Sequence, residues 1–506
     1  MTAHNASDTQ AKGSGGSVFR SLDWFTILLY LVLITWGWFS VCGASYSYTQ
    51  PDLFAWTTNS GKQLRWIATS ILLACALLFV EKNVWRTAAY PLYTLLILLL
   101  IATVFLAPDI KGSRSWLPLG PLRLQPAEFA KFAVALAVAK SIDEYEFSLH
   151  RWRDFLRVVG LIVLPMLIIV AQKETGSALV YLAFFLVLYR EGMNGGLLFT
   201  AFALVVIFVV GVRFNATFIP RMPVCVGEMA ALLLAQLFTT GMTLSSTHDG
   251  RAARLMLYTA AAVDLLALLF STFVIPFDVC IVLRIVCAGQ ILLLLALVLL
   301  GLTGQSDRSR STRWRRYLFV CLFAIATTGT YYAADFALSH LQPHQRVRIE
   351  VLLGKKEDLR GAGYNVNQAK IAFGSGGLWG KGFLRGTQTK LKYVPEQDTD
   401  FIFCTVGEEE GFVGCAGVLV VYLIFIWRLL ALAERQSDRL GRVYGYSVCC
   451  IFLFHLFINV GMVLGLTPVI GIPLPFFSYG GSSLWGFTIL LFIFLRMDAE
   501  RGVKEA

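Results

Sequence analysis

The feature that most constrains this chain is a train of apolar blocks joined by short polar links. Each block is close to the roughly 20 residues that a helix needs to cross a bilayer. Backbone in lipid has no water to bond, so a spanning block of this length must satisfy itself as a helix. The composition agrees. The chain of 506 residues is 57% hydrophobic and 15% charged, where a soluble chain carries about 25% charged residues. The predicted spans are 23–43, 65–81, 88–107, 126–141, 154–171, 176–190, 196–213, 228–246, 254–275, 280–302, 317–337, 403–430, 443–467 and 483–496. The expected fold is therefore an all-α polytopic membrane protein with about fourteen transmembrane helices and one large extracytoplasmic loop. Residues 1–22 read as a disordered cytoplasmic N-terminus, polar and rich in Gly and Ser. They lack the pattern of a cleavable signal peptide, so the first helix is expected to stay as an anchor.

Positive charge orients the set. With the N-terminus inside, one series of links carries Lys82 and Arg86, then Arg151, Arg153 and Arg157, then Arg251 and Arg254. The run Arg308, Arg310, Arg313, Arg315, Arg316 follows, then Arg428, Arg435, Arg439 and Arg442, and last the tail with Arg496, Arg501 and Lys504. Both termini are thus expected in the cytoplasm. The net charge of +11 does not indicate nucleic acid, because the basic residues sit in links between apolar blocks. The ten cysteines lie mostly inside apolar blocks and form no CxxC pair, so neither a zinc site nor a disulfide framework is expected. No internal repeat of the transporter kind is visible. Asp264 and Arg284 fall inside apolar spans, and such costly charges are usually paired, so a structural pair is expected.

Four segments carry chemistry, all expected at the outer face. In GSRSWLPLGPLRLQPAEFAKF (112–132), a loop re-enters a helix at Pro126, a favourable first-turn residue. Glu128 and Lys131 then share one helix face, either as a structural ion pair or as an electrostatic floor for an anionic lipid headgroup. QKETGSALV (172–180) places Glu174 at a short turn, as a helix cap or as a contact for a cation or the basic loop. The loop 338–402 holds Arg346 and Arg348 at alternate positions, then GYNVNQAKIAFGSGGLWGKGF (363–383), whose glycines permit close backbone approach. Its last part, GTQTKLKYVPEQDTDFIF, brings Asp400 to the membrane border. A partly desolvated carboxylate there is expected to have a raised pKa that suits a general base. In NVGMVLGLTPVIGIPLPFFSYGGSS (459–483), prolines and glycines break a helix, and irregular backbone at membrane depth implies a protein-lined pocket. Ser478 and Tyr479 of that segment are substrate-binding candidates.

Taken together, these motifs resemble the SEDS family of cell-wall glycosyltransferases (shape, elongation, division, sporulation) over about 20–190 and 317–496. The GTQ before the Asp-containing segment is similar to the elongation, RodA-type, branch rather than the division branch. The resemblance implies that Asp400 is the catalytic residue, that Trp116 is the family's loop tryptophan, and that Glu128 and Lys131 are its paired helix charges. Ala127 stands where the family commonly has Ser. Lys173 and Glu174 replace the family's usual Pro and Asp, which changes the local geometry. The family core has ten spans, so 196–302 read as an insertion of about four helices between a first core part, 23–195, and a return through 303–337. The catalytic loop 338–402 and the closing core, 403–506, complete the chain. An even number of added helices keeps the loop outside.

The implied activity is peptidoglycan glycosyl transfer at the outer face of the bacterial cytoplasmic membrane, with lipid II as substrate. The incoming 4-hydroxyl attacks the anomeric carbon of the lipid-linked chain and the polyprenyl pyrophosphate leaves, with inversion. That step needs one base, assigned to Asp400, and positive charge for the leaving group. Arg114, Lys131, Arg346, Arg348 and Lys392 are the candidates for the charge. A divalent cation, Mg or Mn, near Asp400 or Glu174 would share that role, although the sequence shows no defined ligand set. The implied partners are a class B penicillin-binding protein and other elongation-complex membrane proteins. Two other readings compete: a flippase for the lipid-linked precursor, and a non-catalytic scaffold of the cell-wall machinery.

Overall fold

The computed structural model describes residues 20–46, 52–110, 112–120, 122–215, 217–218, 224–247, 250–275, 277–303, 308–340 and 362–505. Most of the expected disordered N-terminus, part of the outer loop, and both Arg346 and Arg348 lie outside these residues. The chain divides into two compact units, one from Met1–Met193 with Arg360–Ala506 and the other from Asn194–Leu359.

The first unit begins with α1 (Trp24–Ser45), α2 (Asn59–Leu78) and α3 (Lys82–Leu106). Asp23 caps α1 by accepting the Thr26 N–H, and Thr58 caps α2 by accepting the Gly61 N–H. A two-stranded hairpin, β1 (Leu117–Leu119) and β2 (Leu122–Leu124), follows, with Leu117 opposite Leu124. It delivers the chain into α4 (Pro126–Ile142), then α5 (Trp152–Ala171). Next come α6 (Thr175–Leu179), a 3₁₀ turn Val180–Ala183, and α7 (Phe184–Arg190). After the second unit the chain returns as α13 (Ala362–Ser375), α14 (Ile402–Glu409), α15 (Gly411–Glu434), α16 (Arg439–Leu464) and α17 (Gly481–Glu505). No cysteine is paired in a disulfide, as the spacing suggested.

Helix occurs at all the predicted spans, but eleven of the described helices are long and apolar enough to cross a membrane alone. The other three predicted spans correspond to α2, to α4 and to the interrupted Thr175–Arg190. The reason for α4 is packing. It is short and rich in alanine, nearly every residue is buried, and it lies against α3, α16 and α17. Small residues let helix backbones approach closely, so this helix is solvated by protein and needs little lipid-compatible surface. The expected single span 403–430 is corrected to two helices. The chain breaks at Gly411, whose φ is +70°, and a Cβ there would meet the Gly380 amide nitrogen at 2.3 Å.

The outer loop is folded where it is described. Gly376 and Gly380 lie so close to the backbone of Gly407 and Glu409 that a Cβ would meet carbonyl oxygens at 1.9 and 2.1 Å. The GTQT turn is held by one carboxylate. Glu408 accepts the backbone N–H groups of Thr387, Gln388 and Thr389 at 2.7, 2.9 and 2.9 Å, and the Lys381 ammonium at 2.7 Å. Burial alone would raise the Glu408 pKa, but Lys381 and these N–H groups bring it down to about 2.

The second unit consists of α8 (Gly195–Phe214), α9 (Val226–Thr247), α10 (Gly250–Phe273), α11 (Val279–Thr303) and α12 (Arg308–His340). Its interior is mostly apolar, around residues such as Met242, Met256, Leu294 and Phe323. The expected Asp264–Arg284 pair is corrected here. Arg284 pairs instead with Glu228 in the first turn of α9 at 2.5 Å, and Tyr332 donates to the same carboxylate at 3.3 Å. Asp264 meets the Gln236 side chain. The sequence showed two charges in apolar runs but not which helix faces carry them, and Glu228 sat unremarked at the start of its span.

Candidate active site

The site is organised by the broken segment between α16 and α17. Helix α16 ends at Gly465, whose φ of +71° lets its N–H return to the Gly461 and Met462 carbonyls. Residues 465–480 then run without helix, as the prolines and glycines predicted. Their backbone groups need partners, and polar side chains of α16 supply them. Asn459 donates to the Ile472 carbonyl at 2.7 Å and to the Asp400 carbonyl at 2.9 Å. The His455 ring nitrogen Nδ1 meets the Pro473 carbonyl at 3.0 Å. Ser478 donates to the Thr399 carbonyl at 2.6 Å, and the Tyr479 N–H bonds the Asp398 carbonyl at 2.8 Å. The broken segment and the end of the outer loop are therefore stitched together on both sides of Asp400.

Asp400 itself sits half-buried at the start of α14. Its carboxylate faces the Gly471 Cα so closely that a Cβ at that position would lie 3.0 Å from Oδ2. Gly471 has a φ of +74°. Glycine is thus favoured there by its conformation, and any side chain would crowd the carboxylate. One residue earlier in the same segment, Ile470 packs against α6, where a Cβ on Gly176 would meet the Ile470 carbonyl oxygen at 2.5 Å.

Beneath this lies the charge pair of α4. Glu128 and Lys131 are each only 2% exposed. Lys131 Nζ donates to both carboxylate oxygens of Glu128 at 2.9 Å and meets His455 Nε2 at 3.0 Å. It also lies over the Phe487 ring at 4.8 Å. The three ammonium protons are therefore matched by three acceptors, with His455 as the acceptor at Nε2 and its Nδ1–H donated to Pro473. Of the two sequence readings, the ion pair is what the geometry contains. Through His455 the same pair is linked to the Pro473 carbonyl of the broken segment. A buried pair of this kind is kept only when its remaining hydrogen bonds are satisfied.

Glu174 enters from the side. Its Oε1 accepts from Gln125, immediately before α4, and from Ser177, while Oε2 is buried with no hydrogen-bond partner. Burial pushes its carboxyl up, the Glu128 charge adds to this, and hydrogen bonds from Ser177 and Ser115 oppose it. Arg114 is exposed and bonds the Gln172 carbonyl only through its backbone N–H. Trp116 is half-buried just before the hairpin. Lys392 is exposed at a φ of +54° and lines a separate polar cavity of about 590 Å³ with Asn59, Glu396 and Asp398. Asp398 accepts from Asn59 at 2.6 Å, and burial pushes its carboxyl up against the lowering effect of that bond.

The structure thus joins Asp400, Ser478, Tyr479, Glu128 and Lys131 in one network through 470–480. Glu174 adjoins it, and Arg114, Trp116 and Lys392 stand outside its hydrogen bonds. His455, Asn459, Asp398 and Gly471 were missed. His455 and Asn459 carried a readable signal, two polar side chains four apart in an apolar span. Gly471 carried none, because many glycines surround it. Among the described residues there is no group of three His, Cys, Asp or Glu side chains placed to hold a metal.

The comparisons with known proteins agree with this architecture. The sequence profile of the FtsW/RodA/SpoVE cell cycle protein family matches residues 23–224 and 230–502. The match runs through α8–α12 and does not itself set those helices apart. The chain is 30% identical to the Treponema pallidum peptidoglycan glycosyltransferase RodA over 444 residues, covering 87% of this chain and 89% of that one. It is 29% identical to the Escherichia coli K12 peptidoglycan glycosyltransferase MrdB, covering 83% and 80%. Among solved structures, one from work on polymerization and crosslinking by a peptidoglycan synthase complex matches with a TM-score of 0.57 at 22% identity, covering 95% of this chain and 98% of that one. The Thermus thermophilus rod shape determining protein RodA matches with a TM-score of 0.52 at 20% identity, covering 95% and 97%. A multi-pass helical membrane protein whose polar network converges on the Asp400 segment, this chain belongs to the FtsW/RodA/SpoVE family.

Proposed function

We propose that this protein is a peptidoglycan glycosyltransferase that polymerises lipid II at the outer face of the cytoplasmic membrane, with both termini in the cytoplasm. The relatives named peptidoglycan glycosyltransferase support the reaction class. One observation carries the residue assignment: Asp400 is fixed against Gly471, in a backbone segment bound from beneath by Asn459 and by the His455–Lys131–Glu128 chain.

In this reading Asp400 takes the proton of the attacking 4-hydroxyl as the bond to the anomeric carbon forms. The bond from that carbon to the pyrophosphate oxygen breaks, the electron pair leaves with the polyprenyl pyrophosphate, and the configuration inverts. Asn459 and Ser478 act by holding the backbone on both sides of Asp400, which fixes the carboxylate for a near-attack geometry. Lys131 is a buried positive pole rather than a surface ligand, because its donors are engaged. Arg114 and Lys392, both exposed, are cations open to a pyrophosphate, and Arg346 and Arg348 are proposed with them. Trp116, Glu174 and Tyr479 belong to the same binding surface. No step is assigned to a metal.

A class B penicillin-binding protein is the proposed partner, together with other elongation-complex membrane proteins. The solved relative from a polymerizing and crosslinking complex supports this. Helices 196–302 are proposed as additions to a ten-helix core; they lie within the compact unit Asn194–Leu359, which also includes α12. The test is lipid II polymerisation by the purified chain with its transpeptidase, wild type beside Asp400→Asn. Glycan strands from the wild type alone support the assignment. Equal strand formation by a folded Asp400→Asn protein overturns it.

A further inference from the structure

The second unit contains a cavity that the glycosyl-transfer chemistry does not use. It has a volume of about 830 Å³ and lies where the start of α8, the last turns of α9 and the early turns of α12 come together. Its polar wall carries Arg315 and Arg316 from α12 and Ser245 and Ser246 from α9. Its apolar wall is made by Phe199 and Phe319. Among the described lining residues two are cations and none is a carboxylate. The end of α8 is not the source of the positive charge, since the Gly196 N–H is already taken by Asn194 Oδ1 at 2.9 Å.

We propose that this cavity binds the phosphodiester headgroup of an anionic phospholipid. The three helices that form it are of membrane-crossing length, so their ends place the cavity at a membrane edge rather than at mid-depth. A basic pocket between transmembrane helices, with hydroxyls beside the cations and aromatic rings next to them, matches both halves of a phospholipid. Guanidinium groups bind phosphate oxygens through paired N–H donors, and the serine hydroxyls add single donors. The phenylalanine rings accept the glycerol and first acyl methylenes. A free phosphate would use the arginines and leave the apolar wall in water, so the lipid is the better fit. Arg315 and Arg316 close the basic run that begins at Arg308, which by the positive-inside rule is cytoplasmic, so the lipid comes from the inner leaflet.

Two variants remove the site in different ways. Arg315→Ala with Arg316→Ala removes the charge. Gly241→Phe fills the space, because a Cβ on Gly241, which lines the cavity, meets nothing within 4 Å. The full chain is purified from nanodiscs containing phosphatidylcholine with phosphatidylglycerol, and retained lipids are counted by native mass spectrometry. Arg151→Ala with Arg153→Ala, in a basic link of the first unit, is the control, and thermal melting checks that each variant is folded. The expected result is one phosphatidylglycerol retained by the wild type and the control, with retention reduced about tenfold or more in both cavity variants. Phosphatidylcholine is not retained in its place, and millimolar inorganic phosphate does not displace the lipid. Equal retention in folded cavity variants overturns the proposal. Displacement by inorganic phosphate identifies a free-phosphate site and also overturns it, as does equal retention of phosphatidylcholine, which identifies an apolar cleft.

Discussion

The two units use buried charge in opposite ways. In the first, Glu128, Lys131, His455 and Asn459 form a continuous chain that ends on the backbone of Asp400. In the second, Glu228, Arg284 and Tyr332 form an ion pair with one added hydroxyl. Lys131 is 2% exposed, while the Arg284 side chain is 46% exposed. A charge with no exit to a membrane edge must be satisfied in place, and doing so fixes everything it touches. A charge on a long, half-exposed side chain constrains little beyond its partner. The first arrangement holds the backbone around Asp400, whereas the second ties α9, α11 and α12 together.

The comparison breaks first, and most severely, at Asp400. Asp400→Asn removes the proposed base and is expected to lower lipid II polymerisation by about 10²–10⁴-fold, the usual range for a general base. Melting in detergent checks that the variant is folded, since Asn459 holds the Asp400 main chain in both proteins. The next largest effect concerns stability. Lys131→Met leaves Glu128 buried without its cation and is expected to cost about 3–5 kcal/mol. Adding Glu128→Gln should restore part of that loss, and a double-mutant cycle by thermal or denaturant melting measures the coupling. Additive losses would show that the two charges do not act as a pair.

The third prediction concerns the loop that carries Asp400. Glu408 has a pKa of about 2, below its ordinary value of 4.5. Its stabilising effect is therefore fully present above about pH 4.5 and is lost as the pH falls toward 2. Wild-type melting temperature should drop through that window, and Glu408→Gln should show a lower melting temperature at neutral pH with a flatter acid limb. An identical acid limb in the variant would assign the transition to other carboxylates. The smallest effect is expected at Arg284→Met. Glu228 keeps Tyr332 as a partner, so the loss should be well below that of Lys131→Met, and polymerisation should be unchanged. A loss as large as that of Lys131→Met would remove the distinction between the two regions.

Much of the architecture was legible in the sequence because lipid imposes a length and a composition on every span. Span prediction slipped for more than one reason. Helix α4 is buried among protein neighbours, Thr175–Arg190 is short and interrupted, and α2 opens on the polar residues Asn59, Lys62, Gln63 and Arg65. The break at Gly411 and the close approach at Gly380 depend on two segments distant in sequence meeting backbone to backbone.

By itself, the sequence determined a helical membrane protein, a helix broken at 465–480, a shared face for Glu128 and Lys131, and the position of Asp400 at the end of a folded loop. Local spacing is enough for each of these, since helix periodicity, proline and glycine act over a few residues. Only the tertiary structure decided that Lys131 meets His455, that Asn459 holds the Asp400 carbonyl, that Gly471 faces the Asp400 carboxylate, and that Arg284 pairs with Glu228 rather than Asp264. Those contacts join residues far apart in the chain. The apolar pattern of a span fixes that it crosses the membrane, but its rotation and its neighbours are set by packing between helices.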